Sequence, residues 1–186
     1  MTRATRLTAF LALGLAALTT ACISIEDTAP APAPAPPAPP AEINRIPIPG
    51  SDFPISIGVV IPPEAEIFYV SGVVPSVVDP DADPNSRAAF GDTKAQTITV
   101  LNSIKTRMEA AGWSLSDVTM MRVYLVADED TGGRLDFAGF MAGYSQFFAT
   151  PEQPNKPARA VVEVAGLINP GWRVEIEVQA ARVPAE

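Results

Sequence analysis

The chain has 186 residues, 47% of them hydrophobic, and its 13 basic and 21 acidic side chains give a formal net charge of −8. It has no histidine and a single cysteine, which excludes Ser-His-Asp catalysis, histidine zinc sites and an intrachain disulfide. The acidic balance also disfavours binding to the phosphate backbone of nucleic acids.

Residues 1–21 have the pattern of a signal peptide. A basic tip with two arginines precedes an apolar stretch that is too short to span a bilayer. The small residues before Cys22 resemble the lipobox of bacterial lipoproteins, although Leu18 lies one place further from the cysteine than in that pattern. We therefore expect export to the bacterial cell envelope with Cys22 as a periplasm-facing lipid anchor. Ordinary cleavage after Ala21 is the alternative.

Residues 22–42 form a predicted linker between this anchor and the folded domain. The run 30–40 consists almost purely of alanine and proline. Such a run cannot pack into a core and favours the extended polyproline conformation, which reaches about 3 Å per residue. We interpret it as a spacer, since nothing in the flanking sequence supports a docking motif for another protein.

The folded domain is predicted over residues 43–186 and begins with β structure. Two short β-branched runs, 55–61 and 67–72, flank a Pro-Pro turn and predict a hairpin. The aspartate-rich stretch 77–87 lacks the repeated spacing of oxygen ligands, so we expect a solvated loop there and not a calcium site.

The rest of the domain alternates between helix and strand patterns. Apolar residues at three- and four-residue intervals predict a helix that is capped by Asp92 and ended by Gly112. The run 118–126 predicts a buried strand, and an aromatic stripe predicts a second, core-packed helix over about 135–148. Two apolar runs, at 156–165 and 172–178, predict the last strands. This order indicates an α+β fold with the helices covering one face of a sheet.

Arg159 follows a proline at the start of the first of these two strands. A guanidinium where a sheet edge meets a loop suits paired hydrogen bonds to a carboxylate. An arginine at a strand end can also extend its charged head into solvent. The local sequence leaves both interpretations open.

A set of short motifs runs in order through nearly all of residues 50–182. They are Tyr69–Pro75, Gly91–Thr97 with Ala110–Gly112, Val123–Leu125, Tyr144–Phe148, Pro157–Arg159 and Val174–Glu177. Their order and spacing resemble the Rid family of reactive intermediate deaminases, also called the YjgF/UK114 family.

The resemblance implies a chorismate-mutase-like fold and a homotrimer with ligand clefts between subunits. It implies hydrolysis of enamine and imine intermediates, in particular 2-imino acids, to keto acids and ammonia, with no cofactor. By the same resemblance Arg159 binds the substrate carboxylate, Glu175 is associated with the attacking water, and Gly72 lines the cleft with its backbone.

Three positions depart from the family pattern. Ile55 stands where a tyrosine is common, Met141 stands where we align an asparagine, and Val161 lies in the pair after Arg159 that is often Ser-Cys. Each change removes a polar group from the expected cleft. A more apolar cleft fits a bulkier apolar imine, or a non-catalytic trimeric module that binds small carboxylates. RNA cleavage, which an older family label suggests, conflicts with the acidic charge and the absence of histidine.

Overall fold

The computed structural model describes residues 41–184, so the predicted signal peptide, Cys22 and the Ala/Pro run lie outside the described residues. The strands and helices are, in order, β1 (Asn44–Pro47), β2 (Ser56–Val60), β3 (Glu66–Val73), α1 (Thr93–Ala110), β4 (Val118–Val126), α2 (Phe137–Tyr144), β5 (Ala158–Val164) and β6 (Val174–Arg182). Neither helix of this part of the chain has the length and apolarity needed to cross a membrane.

Four strands form a mixed sheet in the order β3-β6-β4-β5. β6 is antiparallel to both β3 and β4, while β4 and β5 are parallel. β1 and β2 form a separate antiparallel pair. β6 and β4 are therefore the two inner strands of the sheet, and β3 and β5 lie at its edges.

The predicted hairpin of residues 55–61 with 67–72 is wrong, because β2 pairs with β1 and β3 pairs with β6. The turn at Pro62 and Pro63 does bend the chain, but prolines lack the N–H donors that continue a ladder into a tight hairpin. β1 was missed in the sequence because its four residues are too few to show an alternating pattern.

Helix α1 begins and ends where the sequence predicts. The Asp92 carboxylate accepts a hydrogen bond from the Ala95 N–H at 2.8 Å, and Gly112 follows the helix with a φ of +77°. Helix α2 is shorter than predicted, since Asp136 caps it and it ends at Tyr144. Residues 145–148 continue the aromatic stripe as turns, and Phe148 is still buried.

The two faces of the sheet differ in what covers them. One face packs against both helices through a buried core that includes Leu101, Ile104, Met108, Met121, Val123, Leu125, Phe140, Tyr144, Val174, Ile176 and Val178. This confirms the predicted α+β fold with the helices on one face. The alternate residues of β4 and β6 point to the opposite face, which nothing in residues 41–184 covers, and we call it the open face.

Candidate functional site

Arg159 lies near the start of β5 beside Met121 of β4, and its side chain points to the helix face. The guanidinium carbon is 4.3 Å from the ring centre of Tyr144, 5.1 Å from that of Phe140 and 5.7 Å from that of Phe53. These rings present their negative π faces to the cation. The arginine is therefore held inside the molecule by aromatic side chains instead of extending into solvent.

The guanidinium of Arg159 has a free hydrogen-bonding group. Its Nη2 contacts the Met141 sulfur at 3.4 Å, but its Nη1 is buried without a hydrogen-bond partner among residues 41–184. No carboxylate of this part of the chain lies within ion-pair distance of it. Burial lowers the pKa of Arg159, and Tyr144 opposes this shift. Because a guanidinium stays charged at neutral pH, an anion that reaches Nη1 would be strongly stabilised.

Tyr144 holds this arrangement together from α2. Its ring contacts the guanidinium, and its hydroxyl donates a hydrogen bond of 2.7 Å to the carbonyl of Pro54. Burial raises the pKa of Tyr144, so the hydroxyl keeps its proton and remains a donor. The bond to Pro54 fixes the irregular segment before β2, and this segment brings Phe53 over Arg159.

Gly72 and Glu175 form a second group on the open face. Gly72 lies in a β-bulge of β3, where the register against β6 shifts between Val70 and Val73. A Cβ atom on Gly72 would overlap with Oε1 of Glu175. The carboxylate of Glu175 therefore lies directly over the backbone of Gly72, and only glycine leaves it that space.

The other polar side chains of the open face form a small network next to Glu175. Arg122 Nη1 lies 2.9 Å from Oε1 of Glu177, and the Tyr124 hydroxyl donates to the same oxygen at 3.2 Å. Burial, together with the nearby carboxylate charges, raises the pKa of Tyr124. Tyr124 is the cross-strand neighbour of Glu175, but Glu175 has no side-chain hydrogen bond within the described chain. Of the two glutamates, Glu175 is thus the one available to a ligand.

The structure brings Gly72 and Glu175 together but separates both from Arg159. Arg159 lies on the helix face at the β5 edge, whereas Glu175 lies on the open face of β6, with β4 between the two strands. Within one chain the sheet itself stands between the two charged groups. One chain alone therefore cannot present both to the same small ligand.

The positions that depart from the family pattern have different surroundings. Met141 touches the guanidinium of Arg159, Val161 packs against the core, and Ile55 is half-buried in the segment that follows Pro54. The sequence indicated Tyr144 as a core residue, and it is buried, but gave no sign of its contact with Arg159. Phe53 was missed because it lies in irregular chain without any periodicity.

Comparisons with known proteins agree on one family. The family described as "Endoribonuclease L-PSP" matches residues 59–182. A RutC family protein of Saccharolobus solfataricus is 37% identical over 115 residues, which cover 61% of this chain and 76% of the relative. A RutC family protein of Pyrococcus horikoshii is 38% identical over 99 residues, 53% of this chain and 67% of the relative.

A solved structure shows the same fold. A protein of unknown function of the conserved Rid protein family, YyfB from Yersinia pestis, superposes with a TM-score of 0.53 at 25% identity, covering 70% of this chain and 89% of the other. The YjgF gene product of E. coli gives a TM-score of 0.47 at 30% identity, covering 69% of this chain and 92% of the other.

Proposed function

We propose that this chain, which belongs to the YjgF/UK114 (Rid) family, is a deaminase that hydrolyses reactive enamine and imine intermediates, chiefly 2-imino acids, to keto acids and ammonia. The observation that carries the proposal is the buried, unpaired Nη1 of Arg159 in its aromatic surroundings. This group can bind the carboxylate of a 2-imino acid. The carboxylate of Glu175 can orient the water that attacks the C=N carbon.

The proposed chemistry needs little from the protein. The C=N carbon of a 2-imino acid is already electrophilic, so the site has to fix the carboxylate, hold a water about 3 Å from that carbon and move protons. Arg159 fixes the carboxylate by charge-assisted hydrogen bonds. Glu175 orients the water, takes its proton as the oxygen adds to carbon, and passes that proton to the nitrogen. The C–N bond of the resulting carbinolamine then breaks as its hydroxyl proton moves to the nitrogen, which gives the keto acid and ammonia.

We further propose that the two halves of the site come from different chains of a homotrimer. The open face carries exposed apolar side chains, among them Tyr69 with 72% and Val162 with 46% of their surface accessible. A symmetric oligomer would cover these side chains. Packing of one open face against the next chain would place Gly72 and Glu175 of one subunit beside Arg159 of its neighbour.

A coupled assay tests the proposed activity. An amino-acid oxidase supplies a 2-imino acid, and the appearance of the keto acid is followed with and without the purified protein. We expect the protein to accelerate keto-acid release above the rate of spontaneous hydrolysis. No acceleration would contradict the proposal, and if carboxylates then still raise the melting temperature, the chain is a binding module. The acidic charge and the absence of histidine speak against RNA cleavage.

The N-terminal pattern carries a separate proposal, that the protein is exported and anchored by lipid on Cys22. Its support is the single cysteine directly after a signal-peptide pattern. Attached acyl chains would hold the domain at a membrane surface. In a bacterial host, Cys22→Ala should move the protein from the membrane fraction to the soluble fraction. The same distribution for wild type and variant would rule out the anchor.

A further inference from the structure

The side chains around the guanidinium of Arg159 form an apolar wall. Four of them contact it, namely Phe53, Phe140, Met141 and Tyr144. Phe140 and Tyr144 are fully buried, whereas Phe53 has 39% of its surface accessible and belongs to irregular chain. Phe53 and the partly buried Met141 are therefore the members of the wall that an entering ligand meets.

This wall gives a ligand almost nothing to hydrogen-bond with besides Arg159. Phe53 and Phe140 carry no polar group, and the thioether of Met141 is only a weak acceptor that already contacts Nη2. The hydroxyl of Tyr144 donates its proton to the Pro54 carbonyl. A carboxylate bound at Nη1 would thus carry its substituent into apolar surroundings.

We propose that Met141 and Phe53 determine specificity at this site and select 2-imino acids with apolar side chains. This inference rests on the proposed function and names the substrate class of the same site. A polar side chain would lose its hydration against Met141 and Phe53 without gaining a partner from this wall, whereas an apolar side chain gains by burial. Such discrimination is measured as the ratio of the kcat/KM values of two substrates.

The test compares two substrates of nearly equal shape, the 2-imino acids formed by oxidation of leucine and of asparagine. We expect wild-type kcat/KM to favour the leucine-derived imine by about tenfold or more. Met141→Asn adds an amide to the wall and should reduce this preference about tenfold or reverse it. Met141→Leu should keep the preference, and so should Ala142→Asn, which places the same amide at an exposed neighbouring position of α2.

Binding measurements with carboxylates that do not react test this inference independently of catalysis. The stable carboxylates 4-methylpentanoate and succinamate have similar shapes. Like the two imines, they differ in the polarity of the group that would contact Met141 and Phe53. If wild type binds 4-methylpentanoate more tightly by melting-temperature shift and Met141→Asn loses the preference, the specificity assignment stands even where no imine is hydrolysed. If wild type treats both members of each pair equally, the assignment is overturned and the deaminase proposal survives. If no carboxylate binds and no imine is hydrolysed, both are overturned.

Discussion

Replacement of Arg159 by alanine should lower kcat/KM for a 2-imino acid by about 1.5 to 3.5 orders of magnitude, because loss of one partner from a desolvated charge pair costs roughly 2–5 kcal/mol. Nη1 of Arg159 is buried and unpaired, so a bound carboxylate would be its partner. The carboxylate is held before and during the reaction, and the loss should therefore appear mainly as a higher KM. Steady-state kinetics in the oxidase-coupled assay measure the effect.

Two variants sharpen this experiment. Arg159→Lys keeps the charge but loses the planar fork, so its activity should lie between those of wild type and Arg159→Ala. Arg107→Ala removes an equal charge from an exposed position on α1 and should leave the kinetics unchanged. The melting temperature of each variant separates loss of the site from loss of the fold. Wild-type kinetics for Arg159→Ala would refute the assigned role.

The local elements of the fold could be predicted because local signals define them. The cap at Asp92, the glycine after α1 and the apolar run of β4 each act over a few residues, and the bounds of α1 and β4 follow from them. Strand pairing could not be predicted in this way. β3 lies beside β6, about a hundred residues further along the chain, and no turn residue near β3 specifies that partner.

The candidate site likewise has features that could be predicted from the sequence and features that could not. Arg159, Gly72 and Glu175 were indicated by motifs, and the overlap of Gly72 with any added Cβ gives that glycine a physical reason. The aromatic residues around Arg159 could not be inferred, since helical spacing predicts burial of Tyr144 without saying which cation it buries. The placement of Arg159 and Glu175 on opposite faces depends on the register of β5, β4 and β6, which alternation within a single strand does not determine.

That opposite placement predicts complementation between two inactive variants. At substrate concentrations below the wild-type KM, Arg159→Ala and Glu175→Gln should each have little activity alone. The two variants are co-assembled in equal amounts. A site formed between subunits is then intact only where a chain that still has Arg159 meets a chain that still has Glu175 on the required sides. In a randomly mixed homo-oligomer this is about one site in four. We expect recovery to about a quarter of wild-type kcat/KM, measured below the KM of wild type after joint unfolding and refolding or after co-expression.

Controls exclude the trivial explanations for such recovery. The two pre-assembled variants, mixed without subunit exchange, should stay inactive. In a second mixture, wild type is co-assembled with a chain that carries both substitutions. A site between subunits then retains about a quarter of full activity, whereas a site within one chain retains about half. No recovery from the co-assembled single variants would mean that Arg159 and Glu175 serve the same site from one chain. Since the β-sheet lies between these two side chains, that result would require one of them to leave the face on which it lies.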